Sequence, residues 1–137
     1  MPQLTTGPED PQEVITPGSI DEHADAEFKA TDSGLHYRVL REGEDAKPDV
    51  SDSVEVHYKG WLEDGSIFDS SFRRGSTISF PLSGVISGWT EGMQLVGKGG
   101  MIELKIRSEL GYGPRGMPPV IPPDATLHFI VELFEIK

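Results

Sequence analysis

The sequence predicts an α+β domain: a largely antiparallel sheet of about five strands with one buried face, and one short helix. Three observations lead there. Apolar and polar residues alternate with period two in several short runs, the signature of half-buried strands. One stretch, 87–95, breaks that period and sets apolar residues at helical spacing instead. Glycine and proline, 16 and 11 of 137 residues, punctuate the chain at a density that suits strands and loops better than a helical bundle.

The elements follow in order. Leu35-His36-Tyr37-Arg38-Val39-Leu40 begins with strand-like alternation, and Val54-Glu55-Val56-His57-Tyr58 alternates clearly. Glu63-Asp64-Gly65-Ser66 is a turn in which Gly65 supplies the positive φ that hairpin turns require. Thr77–Leu82 is a third short strand. Met101–Arg107 places Ile102, Leu104 and Ile106 on one face, and Thr126–Ile136 does the same with Leu127, Phe129, Val131 and Leu133. In the helical stretch Trp89, Met93 and Val96 share one side, with Ser87 as the expected cap and Gly97 as the expected end. At two or three turns this helix depends on packing against the sheet. No internal repeat is visible.

Residues 1–30 differ in character. They hold seven acids (Glu9, Asp10, Glu13, Asp21, Glu22, Asp25 and Glu27) and one base, Lys29, so more than half of the net charge of −11 lies there. With four prolines and few large apolar side chains, the segment predicts a mostly disordered arm over 1–32, followed by one folded domain over 33–137. A short helix near 20–28, capped by Ser19, is compatible with this stretch. A solvated tail and a docking or spacer element both fit it. No basic-then-apolar leader is visible, so a cytoplasmic location is expected, with a periplasmic or exported one open if a leader has been removed.

Composition excludes several function classes. The apolar runs are only a few residues long, so no membrane span is expected. The acidic balance is the wrong sign for gripping a phosphate backbone, so nucleic acid is not expected as a partner. With no cysteine, thiol catalysis, disulfides and Cys-type zinc sites are out. His23, His36, His57 and His128 show no metal-ligand spacing, and no metal or cofactor is expected. Gly97-Lys98-Gly99-Gly100 lacks the phosphate-loop pattern, and Ser70 and Ser71 beside Asp69 lack a nucleophile elbow.

Three features stand out against that background. Tyr58, Phe68, Trp89, Tyr112 and Phe129 lie on or beside predicted elements; each alone suits a core, yet together they exceed what so small a core usually needs. The long segment 110–123 is rich in proline and glycine, with Val120 and Ile121 at its tip; it is either a stiff connector or one wall of a cleft. Phe68-Asp69 sets an acid beside an aromatic ring, as a turn residue or as an acceptor in a pocket. An apolar cleft with a few polar groups is the default expectation.

Several blocks then occur together: Val56-His57-Tyr58-Lys59-Gly60, Asp64-Gly65, Phe68-Asp69-Ser70-Ser71, Val85-Ile86-Ser87-Gly88-Trp89-Thr90-Glu91-Gly92, Gly111-Tyr112-Gly113, and Ile121-Pro122-Pro123-Asp124-Ala125-Thr126-Leu127 with Phe129 and Val131-Glu132-Leu133. In this order, over 33–137, they resemble the FKBP-type peptidyl-prolyl cis-trans isomerases. Ser33-Gly34-Leu35-His36-Tyr37 with Gly88-Trp89-Thr90-Glu91-Gly92 is most similar to the bacterial branch that includes the macrophage-infectivity potentiators. The resemblance implies a curved antiparallel sheet wrapped around one short helix, with the pocket between them. It implies Trp89 as pocket floor and Tyr58, Phe68, Val85, Ile86 and Phe129 as walls. Asp69 and Tyr112 would be the polar groups, with the Ile86 N–H holding a substrate carbonyl. Arg74 would steady the acid, and Val120 and Ile121 would close the pocket. Ile78 stands where the family often has an aromatic residue and Met117 where a histidine is frequent, and the link from Leu82 to Val85 is short. By the same resemblance the expected activity is rotation of X–Pro bonds in folding polypeptides by a monomer that binds macrolides such as rapamycin. A non-catalytic chaperone-like or scaffold module for proline-containing segments is the alternative.

Overall fold

The structure, a computed structural model, describes residues 5–137. Its strands are β1 (Lys29–Ala30), β2 (His36–Arg41), β3 (Ser53–Leu62), β4 (Ile67–Ser70), β5 (Ile78–Pro81), β6 (Met101–Ile106) and β7 (Leu127–Ile136). Two helices accompany them, α1 (Ser71–Arg74) and α2 (Ser87–Gly92). The strands form one antiparallel sheet in the order β1-β2-β6-β7-β3-β4, with β5 also on β3.

Seven strands replace the expected five or so because the free edge of β3 is divided. Ser53–Val56 pair with β5, and Lys59–Trp61 pair with β4. The Asp64-Gly65 turn was legible, but the four residues after it are too few to show a period. The two-residue β1 is shorter still.

The alternation expected of β6 and β7 places Ile102, Leu104, Ile106, Leu127, Phe129, Val131 and Leu133 in one core, together with Trp89, Met93 and Val96. The helix begins one residue earlier than its sequence suggests. Ile86 occupies the cap position without a side-chain hydrogen bond, and Ser87 is the first helical residue. After Gly92 the chain tightens into a 3₁₀ turn, Met93–Leu95, so Gly97 lies beyond the helix rather than ending it. Gly92 allows the close approach of α2 to the sheet: a Cβ there would come within 2.6 Å of Leu104.

The expectation of one buried face is corrected. Leu40, Trp61, Phe72, Met101 and Ile130 form a second cluster on the opposite face, joined by Ile20 and Ile67. Its cover comes from α1 and from the acidic segment. The short helix that the sequence near 20–28 is compatible with does not form; the chain there runs as turns and bends. Instead of standing off as an arm, residues 8–28 lie along the back of the sheet as a strap, fixed by two ion pairs and by hydrogen bonds to its backbone that the composition alone does not reveal. Lys59, only 2% exposed, pairs with Glu13 at 2.6 Å and donates to the Pro8 carbonyl. Arg73 pairs with Asp10 at 2.6 Å. Arg41 binds Glu132 and the Ser19 carbonyl, and Glu132 also accepts from the Gly18 N–H. Arg38 binds Glu103 and the Ala26 carbonyl and lies over the Phe28 ring. Two of the acids that make the segment look solvated, Glu13 and Asp10, are thus paired with a base of β3 and a base of α1. No helix among the described residues is long and apolar enough to cross a membrane.

Candidate active site

On the other face, a cavity of about 480 Å³ opens between α2 and the strands β3, β4, β5 and β7. Trp89, 4% exposed, lies at its base because α2 turns this residue toward the sheet. Three rings meet it edge-on: Tyr58 at 5.3 Å, Phe129 at 5.4 Å and Phe80 at 5.6 Å between centroids. Phe68 stands edge-on to Phe129 at 5.5 Å in turn. Edge-to-face contacts hold rings in fixed orientations and so keep the box open. Gly60 on β3 makes room for it, since a Cβ there would lie 2.6 Å from Phe68 and 2.7 Å from Phe129.

One wall is polar. The Tyr58 hydroxyl donates to Asp69 Oδ2. Arg74 Nη1 donates to Asp69 Oδ1 at 2.7 Å, and its Nη2 donates to the Tyr58 oxygen at 3.3 Å. The Arg74 guanidinium also sits 5.8 Å from the centre of the Tyr58 ring. Burial, and then the hydrogen bond to Asp69, push the Tyr58 phenol up to about 12. Tyr112 is raised as well, by burial first and by the charge on Asp69 second. The bond to Asp69 and then the contact with Tyr58 hold Arg74 above its ordinary range. Both phenols are therefore neutral donors at physiological pH. Ile86, at the start of α2, accepts from the Trp89 and Thr90 amides through its carbonyl. Its own N–H lies outside the helical ladder, as at any helix start.

The structure brings together Tyr58, Phe68, Asp69, Val85, Ile86, Trp89, Tyr112, Met117 and Phe129 around this cavity. Arg74 stands behind Asp69 rather than in the lining. Ile78, Val120 and Ile121 do not line it. Ile121 is 3% exposed in the main core and exchanges backbone hydrogen bonds with Met117, while Val120 is 51% exposed. Sequence reasoning missed Phe80 and Gly84, which do line the cavity. Phe80 had a signal, since it follows Ile78 by two residues on β5 and shares its face. Gly84 had none.

The FKBP-type peptidyl-prolyl cis-trans isomerase family profile matches residues 44–134, two thirds of the chain. This chain belongs to that family. It is 49% identical over 118 residues to the FKBP-type 22 kDa peptidyl-prolyl cis-trans isomerase of Escherichia coli, covering 85% of this chain and 57% of that protein. It is 40% identical over 109 residues to the peptidyl-prolyl cis-trans isomerase Mip of Coxiella burnetii, covering 80% of this chain and 47% of that protein. The crystal structure of FkpA from Escherichia coli superposes with a TM-score of 0.79 at 49% identity, covering 82% of this chain and 53% of that one. The chain thus spans about half the length of these bacterial relatives. The sheet wrapped over one short helix is the FKBP fold, and the likeness to the Mip branch seen in the motifs is shown by these matches.

Proposed function

We propose that this chain accelerates cis–trans rotation of X–Pro bonds in polypeptides, with the proline ring seated on Trp89. The observation that carries this reading is the aromatic box itself: Trp89 flanked edge-on by Tyr58, Phe80 and Phe129, with the Tyr58–Asp69–Arg74 cluster at one wall. No bond need break. The barrier of ~18–20 kcal/mol comes from amide resonance, and X–Pro bonds populate both planar isomers. Twisting the bond removes the conjugation and with it much of the charge separation between carbonyl oxygen and nitrogen. An apolar pocket therefore disfavours the planar amide relative to the twisted one, which is differential binding of the transition state. Each ~1.4 kcal/mol of that difference is a tenfold gain in rate.

The polar groups orient. The Asp69 carboxylate is engaged on both oxygens, by Tyr58 and by Arg74, so it fixes the rim rather than moving a proton. The Tyr112 hydroxyl and the Ile86 N–H, both at the cavity, would donate to substrate carbonyls. A macrolide such as rapamycin would compete for the same box, and the chain would act as a monomer. Exchange NMR on a short X–Pro peptide tests the reading. Faster exchange that rapamycin abolishes supports it, and peptide binding without faster exchange would replace it with a non-catalytic binding module.

A further inference from the structure

We propose that the acidic strap is a working part of the pocket, in which Asp10 and the backbone amides of Val14 and Ile15 position Arg74 by clamping α1. This inference rests on the isomerase reading of the site. Helix α1 is a single turn of four residues. A turn this short does not persist by itself, because nucleation fixes several residues for one hydrogen bond. Its place is therefore set by what surrounds it.

Three sides are visible. On the sheet side, the Ser71 hydroxyl oxygen accepts from the Tyr58 N–H at 2.7 Å and meets His57 Nδ1 at 2.7 Å. At its start, Ser70 Oγ accepts from the Arg73 N–H. On the outer side the contacts come from the strap. The Phe72 carbonyl, an end-of-helix oxygen with no partner inside so short a helix, accepts from the Val14 N–H at 3.0 Å and the Ile15 N–H at 3.3 Å. Arg73 donates through Nε to Asp10 Oδ2 at 2.6 Å, and the Asp10 side chain is only 2% exposed. The next residue, Arg74, points the other way and reaches Asp69 and Tyr58 in the pocket wall. Neighbouring residues of one turn thus face two masters: Arg73 the strap, Arg74 the active site. Shifting the turn outward moves the Arg74 guanidinium away from Asp69, and the charge-assisted geometry that fixes Tyr58 weakens with it. Asp10 touches no substrate; it is a positioning residue.

The test is a double-mutant cycle in the full chain. Asp10→Ala should lower kcat/KM for an X–Pro peptide roughly fivefold, the effect of one lost hydrogen bond, and Asp10→Glu should restore most of it. In an Arg74→Leu background, Asp10→Ala should change kcat/KM no further. Equal losses in both backgrounds, or no loss with Arg74 present, overturn the proposal. A second reading is independent of activity: the Arg74 Nε–H resonance should shift or broaden in Asp10→Ala while the amide spectrum of β6 and β7 stays in place. An unmoved Arg74 resonance also overturns the proposal. An inactive parent chain would instead count against the isomerase reading, with the resonance still reporting whether the strap holds Arg74.

Discussion

The Tyr58 hydroxyl donates to Asp69, and Arg74 closes on the second carboxylate oxygen at 2.7 Å, so one acid ties a pocket wall to a surface cation. The Asp69 side chain is 40% exposed, and its loss should leave the core intact. Asp69→Ala should therefore keep the folded spectrum but lower kcat/KM about tenfold or more, since charge-assisted hydrogen bonds contribute about 1.5–3 kcal/mol. Phe129 tests the apolar wall. Because it is buried, Phe129→Leu is the better variant; alanine would open a hole costing about 3–5 kcal/mol. It too should lower kcat/KM, at a smaller loss of stability than alanine, since the leucine keeps part of the apolar volume while losing the edge-on contacts with Trp89 and Phe68. Full activity in both variants, measured by peptide exchange, would remove these residues from the site.

The ion pair of Lys59 with Glu13 lies under the strap, with both side chains less than a tenth exposed. Removing one partner of such a pair strands the other charge. Glu13→Ala should therefore destabilise the chain by about 3–5 kcal/mol. Replacing both, as Lys59→Met with Glu13→Leu, should recover much of that loss, because apolar substitutes avoid the desolvation of two charges. Urea unfolding decides the matter. A Glu13→Ala midpoint equal to that of the parent chain would mean that the strap is not held there.

Legibility followed the range of the interactions. The front of the sheet could be read because β6 and β7 alternate over six and ten residues, and because Trp89, Met93 and Val96 recur at helical spacing and meet in the core although the helix itself ends at Gly92. The back could not, because Lys59 and Arg73 find their acids, and Arg41 a backbone carbonyl, in a segment at least twenty residues away, and composition shows only its acids. Ile121 was expected in the pocket because an apolar loop tip has one appearance whether it turns to the core or to a cleft. The pairing of Arg74 with Asp69 came from family resemblance, since α1 is too short to show a period of its own. Phe80 was overlooked although its spacing from Ile78 marked it.

His57 makes the fold sensitive to acid. It stacks on Phe72 at 4.9 Å, meets Phe134 edge-on at 5.4 Å, and lies 2.7 Å from the Ser71 hydroxyl. Burial holds its pKa below the ordinary value of 6.5; Glu132 and Glu55 pull it up and Arg74 pushes it down. The unfolded chain therefore takes up this proton first as pH falls. The stability that neutral His57 contributes is complete above about pH 6.5 and is lost as pH drops through the folded value, at up to about 1.4 kcal/mol per pH unit. The urea midpoint of the parent chain should fall between pH 7 and 5. His57→Gln should flatten that slope while lowering stability at pH 7, and a slope unchanged by the substitution would assign the acid sensitivity elsewhere.

Tyr58 sets the opposite boundary. Its phenol titrates at about 12 in the folded chain, raised by burial and then by Asp69, against 10.0 for a free tyrosine. The neutral hydroxyl thus remains a donor throughout the neutral and mildly alkaline range, and no activity change below pH 10 should arise from it. For stability the sign is the reverse of that for His57. The contribution is complete below pH 10 and is lost as pH rises toward 12, because the unfolded chain gives up its proton first. Specifically ¹³Cζ-labelled tyrosine resolves the residues by NMR. The Tyr58 resonance should stay unshifted past pH 10 in the parent chain and titrate lower in Asp69→Asn, which keeps the burial but removes the neighbouring charge. A Tyr58 midpoint near 10 in the parent chain would mean that the hydroxyl is solvated, and the wall joining Asp69 to Trp89 would then stand open to water.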